Sequence, residues 1–252
     1  MIKAENLSFR YDHFGGKERE KVLKNINLTV EKGDKILILG EPESGKTTLS
    51  MILSSLIPEF VEGELEGKVY PEGDMKDRMD KYTLVPQNSG EFILSETVED
   101  EISFPLESLG IGREEMKERV EKALSFWGLQ HLREASTSEL SGGEKRRLML
   151  STSLVTEPDF VIYDESFDDL DVSWREVLKK HIETSEEASV VMASRFISYF
   201  DSLFNRIYLL ENGELKEWKG EGAVIPRPAL QILLPLYWKW MTFPLKAGKL
   251  WP

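Results

Sequence analysis

The chain of 252 residues carries 45 acidic side chains against 32 Lys and Arg, a formal charge of −13, with 40% apolar residues. That composition suits one large globular core, or one domain with a subdomain, and such acidity argues against a general nucleic-acid surface or charge-driven adhesion to anionic lipid. The lack of cysteine excludes disulfides, thiolate metal sites and cysteine nucleophiles, and the scattered His13, His131 and His181 suggest no histidine metal cluster.

The N-terminus enters strand pattern directly, without the basic and apolar regions of a signal peptide, so a cytoplasmic start is expected. Residues 2 to 11 and 22 to 30 alternate like antiparallel strands around a polar loop that turns at Gly15-Gly16. The apolar strand Lys35-Ile36-Leu37-Ile38-Leu39 leads into Gly40-Glu41-Pro42-Glu43-Ser44-Gly45-Lys46-Thr47 and a helix continuing from Thr48. Two glycines permit a sharp turn that aims backbone N–H groups at phosphates, Lys46 adds a positive charge, and Thr47 supplies a hydroxyl for Mg2+. Residues 40 to 48 are therefore candidate ATP-binding residues.

Beyond Gln87 the pattern turns helical: Met116, Val120, Ala123, Leu124 and Trp127 recur at three- or four-residue spacing within 113 to 129. Leu140-Ser141-Gly142-Gly143-Glu144 follows, with Ser141 and Glu144 at capping-box spacing, predicting a helix start with free N–H groups and a second anion site. The run Phe160-Val161-Ile162-Tyr163 fits a strand buried on both faces of a parallel sheet, placing Asp164 and Glu165 at its carboxyl end, where such sheets bind ligands. Asp164 can hold Mg2+ through water, and Glu165 can act as general base toward the attacking water. Strand patterns resume at 189 to 193 and 206 to 210, with a tight turn at Asn212-Gly213.

No run of about twenty apolar residues is available to cross a bilayer. The longest apolar stretch, Leu230 to Trp238, is broken by Gln231 and Pro235 and reads as a docking surface for this chain's own core, another subunit or the membrane surface.

These elements, in this order, resemble the ATP-binding cassette (ABC) ATPase family from residue 1 to about 220. The resemblance implies an α/β fold: a P-loop NTPase core with an N-terminal antiparallel β subdomain, a helical subdomain inserted at about 88 to 150, and a short C-terminal extension over 221 to 252. It implies that Ser141, Gly142, Gly143 and Glu144 bind the γ-phosphate of ATP held by the other subunit. By the same match, Tyr11 stacks on adenine, Gln87 touches Mg2+ and water, and Asp171 belongs to the loop crossing the dimer interface; Tyr11 can also be read as packing, and Asp171 as a helix cap.

Gln87-Asn88, Ser95 to Phe104, Gly110 and the Glu-rich helix look like the ATPases of energy-coupling factor (ECF) importers of vitamins or transition-metal ions. That branch implies a second ATPase subunit, a transmembrane coupling protein and a membrane substrate-binding protein, with this chain peripheral on the cytoplasmic face and the extension aiding ATPase pairing. Another ABC importer ATPase, a soluble remodelling ATPase and a nucleotide-dependent regulatory clamp are the alternatives. Three positions depart from the family pattern: Ser194 replaces a histidine, Glu43 a glycine in the phosphate loop, and Ser166 a proline. If the histidine contact acts only in the transition state, its loss costs about 3 kcal/mol, roughly a hundredfold in rate. The expectation is a weakened site in a heterodimer, with Glu165, Gln87 and Ser194 as catalytic candidates and Thr47, Gln87 and Asp164 around Mg2+.

Overall fold

The computed structural model describes residues 1–12, 20–71, 81–168, 170–194 and 203–218. The loop at Gly15-Gly16, the apolar run Leu230 to Trp238 and the whole 221–252 extension lie outside the described residues.

Strands β1 (Ile2–Tyr11), β2 (Leu23–Val30) and β4 (Gly63–Tyr70) form an antiparallel sheet in the order β2-β1-β4. The larger sheet takes β3 (Lys35–Leu39), β5 (Tyr82–Val85), β6 (Phe160–Asp164), β7 (Ala188–Ala193), β8 (Arg206–Glu211) and β9 (Glu214–Trp218) in the order β5-β6-β7-β3-β8-β9. Its first five strands run parallel, and β9 returns antiparallel to β8 through Asn212 and Gly213, both at positive φ. That conformation suits a two-residue hairpin turn, for which Asn-Gly is the favoured pair.

β3, β6 and β7 are buried at every position. Successive side chains of a strand face opposite ways, and here the two faces feed separate cores. Leu37, Leu39, Val161, Tyr163, Val191 and Ala193 join the core shared with α2 (Val98–Ser108), α3 (Arg113–Phe126), α4 (Gly142–Leu154) and α5 (Val172–Thr184). Ile36, Ile38, Phe160, Ile162, Val190 and Met192 join the core shared with the antiparallel sheet and α1 (Lys46–Leu53). With both faces covered, only the strand ends are left to receive a polar ligand.

Three elements differ from the sequence expectation. β4 and β5 were not foreseen: β4 has no buried residue and exists through its pairing with β1, while β5 is four residues long. The periodic stretch to residue 129 ends as a helix at Phe126, because Gly128 takes φ 63° with its backbone against the Trp174 ring. Among the described residues no helix is long and apolar enough to cross a membrane.

Candidate functional site

The turn after β3 is shaped by close approach. A Cβ on Gly40 would lie 2.7 Å from the Leu210 carbonyl, and Gly45 takes φ 103° as the residue capping α1, so both positions demand glycine. Glu43 adopts φ 66° in the same loop. The left-handed region costs a non-glycine residue roughly 1–2 kcal/mol, which gives a physical reason for glycine to be usual there.

Lys46, at the first position of α1, is 5% exposed and folds back over the loop, donating to the carbonyls of Gly40 and Glu41 at 2.9 Å each. Its Nζ also lies 3.3 Å from Glu165 Oε1. Glu165 itself sits at φ 50°, just beyond β6, with its amide donating to Met192 O at 2.9 Å. The other carboxylate oxygen, Oε2, accepts from the Ser194 hydroxyl at 2.9 Å and the Ser194 amide at 3.4 Å. The carboxylate is thus held from both sides in a strained backbone setting, a combination that accumulates at functional sites.

Asp164 is 1% exposed, and burial raises its pKa above the ordinary carboxylate value; a hydrogen bond with Thr47 acts in the opposite direction. One of its oxygens, Oδ1, has no hydrogen-bond partner. An orphaned buried carboxylate oxygen beside a threonine hydroxyl suits Mg2+, which binds through one or two carboxylates plus ligand oxygens. The donor set therefore fits the cation.

Thr47, Thr48, Lys46, Pro42, Glu43, Gly45, Gln87, Glu165, Asp168 and Ser194, with Val22, line one cleft of about 350 Å3. Exposed Gln87 follows β5, so the ends of three adjacent parallel strands and the start of α1 contribute to it. Glu41 and Ser44 line a neighbouring hollow on the other side of the loop, where Ser44 Oγ is unpartnered. Tyr11 stands at the end of β1, its hydroxyl 2.8 Å from Thr48 Oγ1 and its ring edge-on to Phe9.

Ser141, Gly142, Gly143 and Glu144 do not line this cleft. They open α4 with a complete capping box: Ser141 Oγ accepts from the Glu144 amide, and the Glu144 carboxylate accepts from the Ser141 amide at 2.8 Å. A Cβ on Gly142 would meet nothing within 4 Å, so this helix end presents open backbone. Asp171 caps α5 through Trp174 N at 3.0 Å, the local role weighed for it in the sequence. Ser166, in the position where the family pattern has proline, is fully buried with its hydroxyl donating to Val85 O at 3.2 Å.

A family model described as ABC transporter matches residues 23–168. The chain belongs to the ABC transporter family. The cassette is 34% identical over 220 residues to the energy-coupling factor transporter ATP-binding protein EcfA1 of Fusobacterium nucleatum, covering 86% of this chain and 81% of that protein. It is 33% identical to a Pyrococcus abyssi protein named as an ABC transporter ATP-binding protein, covering 85% and 79%. Among solved structures it resembles the dimeric ATP-binding cassette MJ0796 in a post-hydrolysis state with ADP and Pi, at a TM-score of 0.75 and 26% identity, covering 88% of this chain and all of that one. The cassette is thus an ABC ATPase, the ATP-binding subunit of a transporter.

The sequence reading overlooked Arg146. It stands in the basic run Lys145-Arg146-Arg147, too short to suggest a nucleic-acid surface, yet it is 1% exposed and donates to the carbonyls of Gln87 and Glu165 beyond two of the strands that end at the cleft. Its signal was positional: five residues beyond the helix cap, next to the buried Leu148, Met149 and Leu150.

Proposed function

We propose that this cassette is one of two different ATPase subunits of an ECF-type importer of vitamins or transition-metal ions, and that its own phosphate-loop site turns over slowly. The slow-site part of the reading is carried by the grip of Lys46 and Ser194 on opposite oxygens of Glu165, and the ECF part is supported by the 34% identity to EcfA1. Residues 40 to 48 bind the phosphates of ATP, Tyr11 faces the base, and Thr47, Asp164 and Gln87 hold Mg2+. When bound, Mg2+ would supply charge neutralisation on the phosphates of ATP. Glu165 takes a proton from the water that forms the new P–O bond as the bond to the leaving ADP oxygen breaks. Ser194 steadies Glu165, but its neutral hydroxyl is a shorter and weaker donor than the histidine of the family pattern.

Ser141 to Glu144, away from this cleft, serve ATP on the second subunit; the dimeric cassette it resembles and the EcfA1 relative favour that arrangement. The coupling protein docks near Gln87, where Phe92 and Leu94 are 48% and 75% exposed and Phe104 of α2 is 49% exposed. Buried Glu101 fixes this loop by accepting from the amides of Leu94 and Ser95 at 3.0 and 2.8 Å. Residues 1 to 220 form the ATPase domain, with the inserted helical part at about 88 to 150.

Affinity purification from mild-detergent membranes, with mass spectrometry of the bound proteins, tests the assembly. A second ATPase and polytopic membrane proteins are expected; a soluble homodimer alone would favour a regulatory clamp, a reading that Glu43 and Ser194 also accommodate. Turnover measured for this chain alone and mixed with its paralogue tests the asymmetry, which equal rates per site would refute.

A further inference from the structure

We propose that Arg146 is a positioning residue that couples the two composite ATP sites of the dimer, an inference that rests on the site reading above. Its guanidinium is buried under α4 and distributes its donors over two loops. On one side it reaches the segment after β5: Nη1 donates to Pro86 O, to Gln87 O at 3.1 Å and to Ser89 Oγ at 2.8 Å. On the other it reaches the segment after β6: Nη2 donates to Glu165 O at 2.8 Å and Nε to Ser166 O at 3.1 Å. One planar fork therefore fixes the backbone of both Gln87 and Glu165, the residues assigned to water and Mg2+ in this chain's own site.

The same helix begins at Ser141, whose open N-terminus serves the ATP of the other subunit. Arg146 follows after five residues, about 7.5 Å along a rigid α-helix. A displacement of α4 when nucleotide engages its first turn is transmitted through Arg146 to the carbonyls of Gln87 and Glu165. Arginine suits this task because its donors are fixed in one plane, whereas lysine offers one compact charge on a flexible stem. Burying a cation is costly unless its donors are satisfied, so retention of this charge is explained by the bonds it makes rather than by packing. Neighbouring Arg147 points elsewhere, to the carbonyls of Trp127 and Gly128 at 2.7 and 3.0 Å and over the Trp174 ring.

The test uses the full chain with the membrane proteins that purify with it, measuring kcat at this chain's own site by single turnover, KM and Hill coefficient for ATP hydrolysis, and binding of a fluorescent ATP analogue. Wild type is expected to show a Hill coefficient above one. Arg146→Lys is expected to hold analogue affinity within about twofold, lower kcat by about ten- to hundredfold, and bring the Hill coefficient toward one, since small misplacement of catalytic groups costs up to about a hundredfold. Ser89→Ala removes one acceptor while leaving the fork buried, and about a threefold loss of kcat with a reduced Hill coefficient is expected. It decides the matter if Arg146→Lys does not fold. Unchanged kcat and cooperativity in either folded variant, or a wild-type coefficient of one, overturns the coupling. Lys46→Ala separates the premise: with the partner's phosphate loop intact, bound analogue is expected to fall to about half of the wild-type stoichiometry; an unchanged stoichiometry overturns the nucleotide-site reading itself, whereas the loss leaves that reading intact and confines any failure to Arg146.

Discussion

At the phosphate-loop end of the cassette, Glu43 occupies a left-handed backbone position at φ 66° and Ser194 gives Glu165 only a hydroxyl and an amide. At the signature end, Ser141 and Glu144 satisfy one another in a full capping box, and Gly142 leaves the helix N-terminus open. The first end bears two departures from the family pattern where charge must be handled; the second bears none that its geometry reveals. Such unevenness is tolerable in an assembly whose sites are each made from both subunits, because an intact helix end here can complete a sound site on the partner. It teaches that the chain's contribution to hydrolysis need not be made at its own phosphate loop.

The strongest way to break this comparison is Glu165→Gln, which removes the carboxylate proposed as general base. Turnover at this chain's own site should fall by about 10²- to 10⁴-fold while ATP still binds, measured by single-turnover hydrolysis in the assembled transporter. If total turnover hardly changes, the partner's site is carrying the reaction, and the asymmetry is sharper than the geometry alone conveys. Ser194→His restores the missing donor, and up to about a hundredfold gain at this site is expected in the same assay. No gain would mean that serine suffices or that another step limits the cycle.

A smaller effect distinguishes the signature end. Ser141→Ala removes the cap from α4 and should lower stability by about 1 kcal/mol in denaturant unfolding, with ATP affinity of the isolated chain unchanged. The carboxylate of Glu144 is held below its ordinary pKa first by the Ser141 hydroxyl and then by its amide. Its contribution is therefore present above pH 4.5, the unfolded value, and is lost as pH falls through the lower folded value. Solvent screens so exposed a group, and the expected sign is a shallower acid limb of the stability profile in Ser141→Ala. Glu43→Gly is expected to have the smallest effect on stability. Relief of the left-handed strain is partly offset by the greater unfolded-state freedom of glycine, leaving a thermal midpoint about 1–3 °C higher. Loss of the carboxylate should at the same time tighten ATP binding, as a nucleotide titration would show.

The sequence by itself determined the parts whose chemistry is local. Alternation marked β1 and β2, an unbroken apolar run marked β6 as buried on both faces, and the Ser141–Glu144 spacing marked the capping box, because each depends on residues adjacent in the chain. Glu43 was legible as a departure, but its left-handed φ could be known only once the loop was closed against the Leu210 carbonyl at Gly40 and Leu23 beside Gly45. β4 carries no apolar face of its own, and pairing with β1 makes it a strand. Tertiary structure alone decided that Ser194 and Lys46 grip opposite oxygens of Glu165, and that Arg146 turns inward. Those contacts join residues up to 119 positions apart, as Lys46 and Glu165 show. A charge in a short basic run becomes a tie only where backbone carbonyls from two strand ends converge around it.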